Sequence, residues 1–368
     1  MTDRTLQRRH LMGVTGAVFM AASTSRAIAS PDVSADIAQR LAQLKSDGRV
    51  SGLDALLVAK GQQLVFEHYE TNDDEIWGIP NGRVTFGPTV LHDQRSVSKS
   101  LVGLLYGIAW AEGKVPPPEA RLYAQFPEYA DLAAQAGRDR LTIAHVLTMT
   151  LGFEWDELTI PYGDLRNSET AMEAAPDRYR FILERPIVGE PGVKWTYCGG
   201  ATALLGRLIA KGTGEKLLDY ARHALFEPLS FGPSEWTVGR DGEPRTASGL
   251  RLLPRDMLKV GQLVLTKGAW NGRQVVPAEW VKRCTTQKVP IEGRGGYGYQ
   301  WYLGVIPAGP LQGAEWFAGI GWGGQRLFVV PRLDLVVAMN AGNYRLPIME
   351  QARIGNLVIT DAVLPSLA

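Results

Sequence analysis

The chain has 368 residues, 45% hydrophobic and 21% charged, with 39 basic against 38 acidic side chains and a formal net charge of +1. That length suits one large domain or two interleaved lobes. The balanced charge gives no asymmetry of the kind a nucleic-acid or anionic-surface partner requires. Two cysteines, Cys198 and Cys284, make neither a disulfide framework nor a metal-ligand spacing. The five histidines (His10, His68, His92, His145, His223) are scattered without a paired motif, so neither a metal site nor a cofactor is expected.

The first thirty residues read as an address. Arg8-Arg9 form a basic start, a mild apolar run follows from Leu11 to Ala22, and Ala27-Ile28-Ala29 is an A-x-A-like cleavage site. The paired arginines before Leu11 and Met12 resemble a twin-arginine export signal over residues 1–29. On that reading the mature protein begins near Ser30 and works in the periplasm. The alternative is a frayed N-terminal helix with chance arginines. The apolar run is too short to span a bilayer, and no other segment is long enough, so no stable membrane span is expected.

Next comes a helix near Val33–Leu44. "LDALLVAKGQQLVFEHYE" then reads as two strands around Lys60-Gly61-Gln62. The middle of the chain is mainly helical: Leu101–Glu112, Thr142–Met149, Ala201–Lys211, Pro254–Thr266 and Pro277–Arg283. "GQRLFVVPRLDLVVAMNAG" is a second hairpin turning at Pro331-Arg332, and Pro347–Val363 is helical. Strands at both ends and helices between them predict an α+β fold. Its antiparallel sheet is built from the two chain ends and flanked by helices, with a mainly helical insertion. The cleft between sheet and insertion is the natural ligand site.

The candidate chemistry sits in "LHDQRSVSKSLVG", where a loop becomes an apolar helix. S-x-x-K occurs once, as Ser96-Val97-Ser98-Lys99, and alone it is weak. For the motif alone, Ser96 as a helix N-cap with Lys99 solvated in the first turn is the better explanation. The chemical alternative is specific. Residues three apart share a helix face, so the Ser96 hydroxyl and the Lys99 amine can meet. Free backbone N–H groups at the helix start favour a developing oxyanion. They also oppose a second positive charge, and the apolar residues that follow desolvate the amine, so both effects favour the neutral, basic lysine.

Further segments decide between these readings. "RSVSKSLVGLLYGIAWAEGKV", "LTIAHVLTMTLGFEWDE", "PGVKWTYCGGATALLGRLIAKGTG", "SGLRLLPRDMLKVGQLVLTKGAWNGRQVVPAEWV", "GYGYQWYL" and "FAGIGWGGQRLFVVPRLDLVVAMNAG" follow one another in the chain. In that order they resemble the serine β-lactamase and penicillin-binding-protein superfamily. The likeness is to its esterase, class C and 6-aminohexanoate-dimer hydrolase branch, and it runs from about Leu53 to Asn343. The resemblance implies the β-lactamase/transpeptidase fold over residues 30–368, with a sheet lobe of about 50–90 and 295–368 and a helical lobe of about 96–290. It implies Ser96 as nucleophile, Lys99 as its base or base partner, and Tyr197 as the proton relay to the leaving group. The backbone N–H groups of Ser96 and Ile320 would form the oxyanion hole, each such donor worth about 3–4 kcal/mol. Lys99 is expected to lower the Tyr197 pKa, the two sharing one proton.

Two departures from the family pattern narrow the substrate. The second motif, Y-x-N in many relatives, is Tyr197-Cys198-Gly199 and has no amide. The third, K-T-G or H-T-G, aligns with Phe317-Ala318-Gly319 and lacks the cation and hydroxyl that hold a substrate carboxylate. An exported hydrolase of small esters or amides, working through an acyl-enzyme on Ser96, is therefore the leading expectation. A β-lactamase or D-alanyl carboxypeptidase is the second, and a non-catalytic binding or sensor protein the third. Gly199, Gly319 and Trp322 are candidate pocket residues, with Trp322 as either a pocket wall or a packing residue. His145 and Cys198 are expected to be structural.

Overall fold

The computed structural model describes residues 31–293 and 295–367, so the expected export signal lies outside them. The N-terminal strands β1 (Leu53–Lys60) and β2 (Gln63–Tyr69) form a hairpin. The chain returns to the sheet as β3 (Val289–Ile291), β4 (Gly295–Tyr297), β5 (Tyr302–Val305), β6 (Glu315–Gly321), β7 (Gln325–Val330) and β8 (Leu335–Ala341). One antiparallel sheet joins all eight in the order β3-β4-β5-β6-β7-β8-β1-β2. The two chain ends meet where β1 pairs β8, from Leu53↔Ala341 to Lys60↔Leu335. This is the α+β arrangement that the terminal hairpins predict, and it agrees with the fold that the resemblance implies.

Helices cover both faces. On one lie α1 (Pro31–Ser46) and, later, the C-terminal helix. On the other lie α2 (Val97–Ala111), α3 (Gly199–Thr213), α4 (Pro254–Leu265) and α5 (Ala278–Cys284). The C-terminal helix, α6, spans Ile348–Leu357. Side chains of β1 alternate between the two sides. Ala55, Leu57 and Ala59 join the core with Leu101 and Met257, while Leu56 and Val58 join Ile37, Leu41 and Ile354. With water on neither side, β1 and β8 are apolar at consecutive positions instead of alternating ones, apart from Asp54, Asn340 and the terminal Lys60.

The middle helix α2 is buried from Val97 to Ala109. Trp280 of α5 donates its indole N–H to the Gly103 carbonyl at 2.8 Å. A Cβ at position 107 would sit 2.0 Å from the Trp280 ring, so glycine is what lets the two helices close. The helix starts at Val97, four residues before its apolar period begins, because Ser98, Lys99 and Ser100 are buried with partners of their own. The hairpin of Thr71–Ile76 and Ile79–Thr85 has no counterpart in the sequence reading, since its residues are polar and show no alternation.

A buried ion pair fixes the approach to α2. His92, fully buried, shares its Nε2 with Asp54 of β1 at 2.8 Å, and Asp54 also accepts from Asn72 at 2.8 Å. The Asp54 carboxylate raises the His92 pKa against the opposing effect of burial. A pair of this kind is worth little as a pair, but breaking it strands a charge. Asp54→Ala should therefore lose about 3–5 kcal/mol of stability in urea unfolding at neutral pH. Because the His92 pKa is raised in the folded state, its contribution is complete below the unfolded value and fades as pH rises through the folded one. The wild-type advantage over Asp54→Ala should accordingly shrink in alkali.

Candidate active site

Ser96 occupies the N-cap position of α2, yet its hydroxyl caps no backbone N–H. It accepts instead from Lys99 Nζ at 3.0 Å. Lys99 is only 2% exposed, also donates to the Ala247 carbonyl at 3.1 Å, and lies 4.8 Å over the Tyr197 ring. A capping serine with a solvated lysine is therefore not what this sequence builds. Arg95, immediately before Ser96, holds φ at +47°, a left-handed conformation costly for a non-glycine residue. It is held there by Glu75 at 2.8 Å, Asp93 at 3.3 Å and the face of Tyr344 at 4.5 Å. The other two serines bind the frame: Ser98 donates to the Arg95 carbonyl at 2.5 Å, and Ser100 to that of Gln300 at 2.8 Å.

Tyr197 precedes α3 and is buried against Trp195, 5.9 Å away between ring centroids. Its ring lies beside the Lys99 amine that contacts Ser96. Ser96, Lys99 and Tyr197 thus lie together. The expected effect on the phenol does not follow. Burial raises the Tyr197 pKa well above the ordinary value, the Glu157 charge adds to this, and the Ser96 hydrogen bond offsets only part. A hydroxyl without water loses more by ionising than a neighbouring ammonium returns. His145 accepts from the Thr142 backbone N–H at 3.3 Å in a capping box, a structural role.

Strand β6 runs close beside Ser96. A Cβ at position 319 would come within 3.1 Å of Val97 and Ser100, and one at 321 within 2.7 Å of the Gln94 carbonyl. The glycines permit this approach, and Ile320 lies between them with its side chain on the opposite face, against the second core cluster. Trp322 donates to the Tyr344 carbonyl at 3.0 Å and meets Tyr162 edge-on at 5.2 Å. It is thus both tied to the sheet side and in contact with the helical side. Phe317 is half-buried, and Phe317-Ala318-Gly319 carries no cationic side chain.

Gly199 leads to the residues that sequence reasoning missed. Its backbone N–H donates to Glu157 at 2.6 Å, and a Cβ there would sit 3.1 Å from Glu169 and 3.2 Å from Glu157. The two carboxyl groups are buried and converge on one point beside Gly199. Glu157 also accepts from the Trp155 indole at 2.7 Å, and Glu169 from Ser248 at 3.2 Å. Burial and the Glu169 charge push the Glu157 pKa well up, with Lys99 opposing. Asn167 creates the arrangement. It donates to the Ile160 carbonyl at 2.7 Å and caps Glu169 and Thr170, each at 3.1 Å, folding the loop back on itself. Twelve positions apart, the two glutamates show no periodic signal; only an asparagine ahead of a short helix marks the loop.

The Beta-lactamase family model matches residues 37–345. The chain belongs to the β-lactamase family of serine hydrolases. It is 26% identical over 329 residues to the 6-aminohexanoate-dimer hydrolase of Paenarthrobacter ureafaciens, covering 84% of this chain and 78% of that protein. Among solved structures it is similar to a Bacillus anthracis protein described as a 6-aminohexanoate-dimer hydrolase. There the TM-score is 0.71 at 21% identity, with 88% of this chain and 81% of that one covered. It also resembles EstCE1, a hydrolase with promiscuous acyltransferase activity, at TM-score 0.65 and 16% identity, covering 88% and 98%.

Within this β-lactamase-family fold both cysteines are buried, and burial raises the thiol pKa of each. Cys198 therefore packs beside Tyr197 as an unreactive thiol. The native protein should give no rapid reaction with a disulfide reagent such as Ellman's, and two thiols per chain once unfolded in denaturant. A rapidly reacting native thiol would contradict the packing role.

Proposed function

We propose that the protein is an exported serine hydrolase that cleaves a small ester or linear amide through an acyl-enzyme on Ser96. The observation that carries this reading is the 3.0 Å contact between Lys99 Nζ and Ser96 Oγ inside a buried site that also holds Tyr197. A nucleophile needs a base within hydrogen-bond reach and a fixed orientation, and the lysine has both. Ser96 attacks the carbonyl carbon while its proton passes to Lys99. The negative charge collects on the carbonyl oxygen between the backbone N–H groups of Ser96 and Ile320. Tyr197, kept as a neutral phenol, gives a proton to the departing oxygen or nitrogen, and Lys99 restores it. Water then repeats the attack on the acyl-enzyme. No cofactor or metal takes part.

The substrate class rests on what the site lacks. Gly199 brings no amide, and Phe317-Ala318-Gly319 brings neither cation nor hydroxyl to hold a carboxylate. The relative from Paenarthrobacter is named for an amide dimer, and EstCE1 for hydrolase and acyltransferase activity, which favours simple acyl substrates over penicillins.

A fluorophosphonate probe should label the wild type and leave Ser96→Ala unlabelled. The same change should cut turnover of p-nitrophenyl esters or short amides by on the order of 10⁶. Labelling that survives in Ser96→Ala sinks the assignment. Faster cleavage of nitrocefin than of esters and amides would favour the β-lactamase reading, and a wild type that never labels would favour a binding protein. For export, N-terminal sequencing of the periplasmic protein should read from near Ser30; a periplasmic chain starting at Met1 refutes the cleaved signal.

A further inference from the structure

Lys99 is nearly inaccessible to water, and its hydrogen-bond partners are the neutral Ser96 hydroxyl and Ala247 carbonyl. No carboxylate forms an ion pair with it among the described residues. An ammonium so placed needs a compensating charge at slightly longer range, since an unbalanced buried ion costs several kcal/mol. The Glu157–Glu169 pair is in that position. Glu157 accepts from Gly199, two residues after Tyr197, whose ring lies 4.8 Å from the Lys99 amine. Glu169 accepts from Ser248, the neighbour of the Ala247 carbonyl that holds Lys99.

A Cβ at position 199 would meet both carboxyl groups, Glu169 at 3.1 Å and Glu157 at 3.2 Å, so the two converge on one point. Both are buried, so a second ionisation would set two negative charges side by side without water. The remaining charge is well housed. Glu157 Oε2 takes N–H donors from Gly199 at 2.6 Å and Trp155 at 2.7 Å, and Ser248 donates to Glu169. Ser248 is itself held by the Trp77 indole at 3.1 Å and follows Ala247, which holds Lys99. The pair is therefore built into the walls that orient the lysine. A Cβ at position 199 would crowd both carboxyl groups, at 3.1 and 3.2 Å.

We propose that Glu157 and Glu169 are positioning residues of the Ser96 site, sharing one proton so that their single negative charge balances Lys99. This rests on the reading of Ser96 and Lys99 given above. The other titratable groups facing the pair are Tyr197 and Cys198 ahead of α3, Tyr162 from the loop, Tyr297 from β4 and Glu173 one helical turn beyond Glu169. The first four are neutral at working pH, their pKa values raised by burial. Glu173, pushed up to about 7 by burial, lies against Arg178 and Arg245, each at 3.3 Å. Lys99 therefore draws its compensation from the pair.

The proton count makes an unusual pattern of variants. Replacing one glutamate by glutamine removes the shared proton but leaves the other carboxylate ionised, so the net charge is unchanged. Replacing both removes the charge. The Lys99 amine accepts the Ser96 proton, and a nearby negative charge favours its protonated form. Losing that charge makes the unprotonated form available at lower pH.

The test is the rate of fluorophosphonate labelling across about pH 5 to 10. Glu157→Gln and Glu169→Gln should each keep the acid limb of the wild type. The double variant should move it down by about one pH unit or more, so that labelling near pH 5 rises about tenfold relative to its own plateau. A limb that stays put in the double variant overturns the proposal, and so does a limb displaced in either single variant. Reduced plateaus with no displaced limb mean support of the fold alone. If the double variant does not fold, infrared spectroscopy of Glu173→Gln at about pH 8 reads the count directly. A carboxylic-acid band should be present there and absent when either Glu157→Gln or Glu169→Gln is added. Its absence in Glu173→Gln itself overturns the proposal. A wild type that never labels would instead overturn the reading of Ser96, and the infrared band still reports on the pair.

Discussion

Burial of one amine governs this structure. Lys99 must sit within hydrogen-bond distance of Ser96 and out of water, and each requirement alone is easily met. Together they demand walls. The Ala247 carbonyl takes a second proton of the amine, the Tyr197 ring lies beneath it, and two glutamates stand behind. None of these groups is near Lys99 in sequence, and each comes from a different part of the helical insertion or the loops around it. The insertion exists, in physical terms, to bring them together.

The sheet supplies the opposite wall by a simpler route. A strand lying against the start of a helix cannot carry ordinary side chains on its inner face. Gly319 and Gly321 remove them, so that β6 runs directly beside residues 94–100. Ile320 turns its side chain to the other layer of the core, leaving backbone toward Ser96. The same logic recurs behind the helix, where Gly107 lets α2 close on Trp280. Rigidity follows from this close packing, and a nucleophile held at the wrong distance by 1 Å loses on the order of 10² in rate. The left-handed Arg95 belongs to the same economy: its strain is held in place by Glu75, Asp93 and Tyr344.

Electrostatics overturned one expectation for a reason that generalises. From sequence, a lysine beside Tyr197 should draw the phenol toward ionisation. In the folded protein the phenol is buried, and a buried carboxyl pair adds negative charge nearby, so it stays protonated. Burial is a property of the whole fold, whereas the motif reports only which residue types are neighbours. The glycine at 199 had a similar history. Read as a missing amide, it turns out to be the vacancy that two carboxyl groups fill.

The sequence by itself determined the layers of the fold, because apolar runs near both ends can only be satisfied as covered strands, and α2 can only be satisfied at the centre. It also determined the Ser96, Lys99 and Tyr197 constellation, since ordered segments with fixed spacings carry that signal over much of the chain. Tertiary structure alone decided the rest. Glu157 and Glu169 lie twelve positions apart and meet only because Asn167 folds their loop. The polar hairpin after β2 and the polar start of α2 showed no periodicity, their order coming from contacts with distant residues. Periodicity records which face of an element is apolar. It does not record which buried polar groups will find one another, and those groups set the charge of this site.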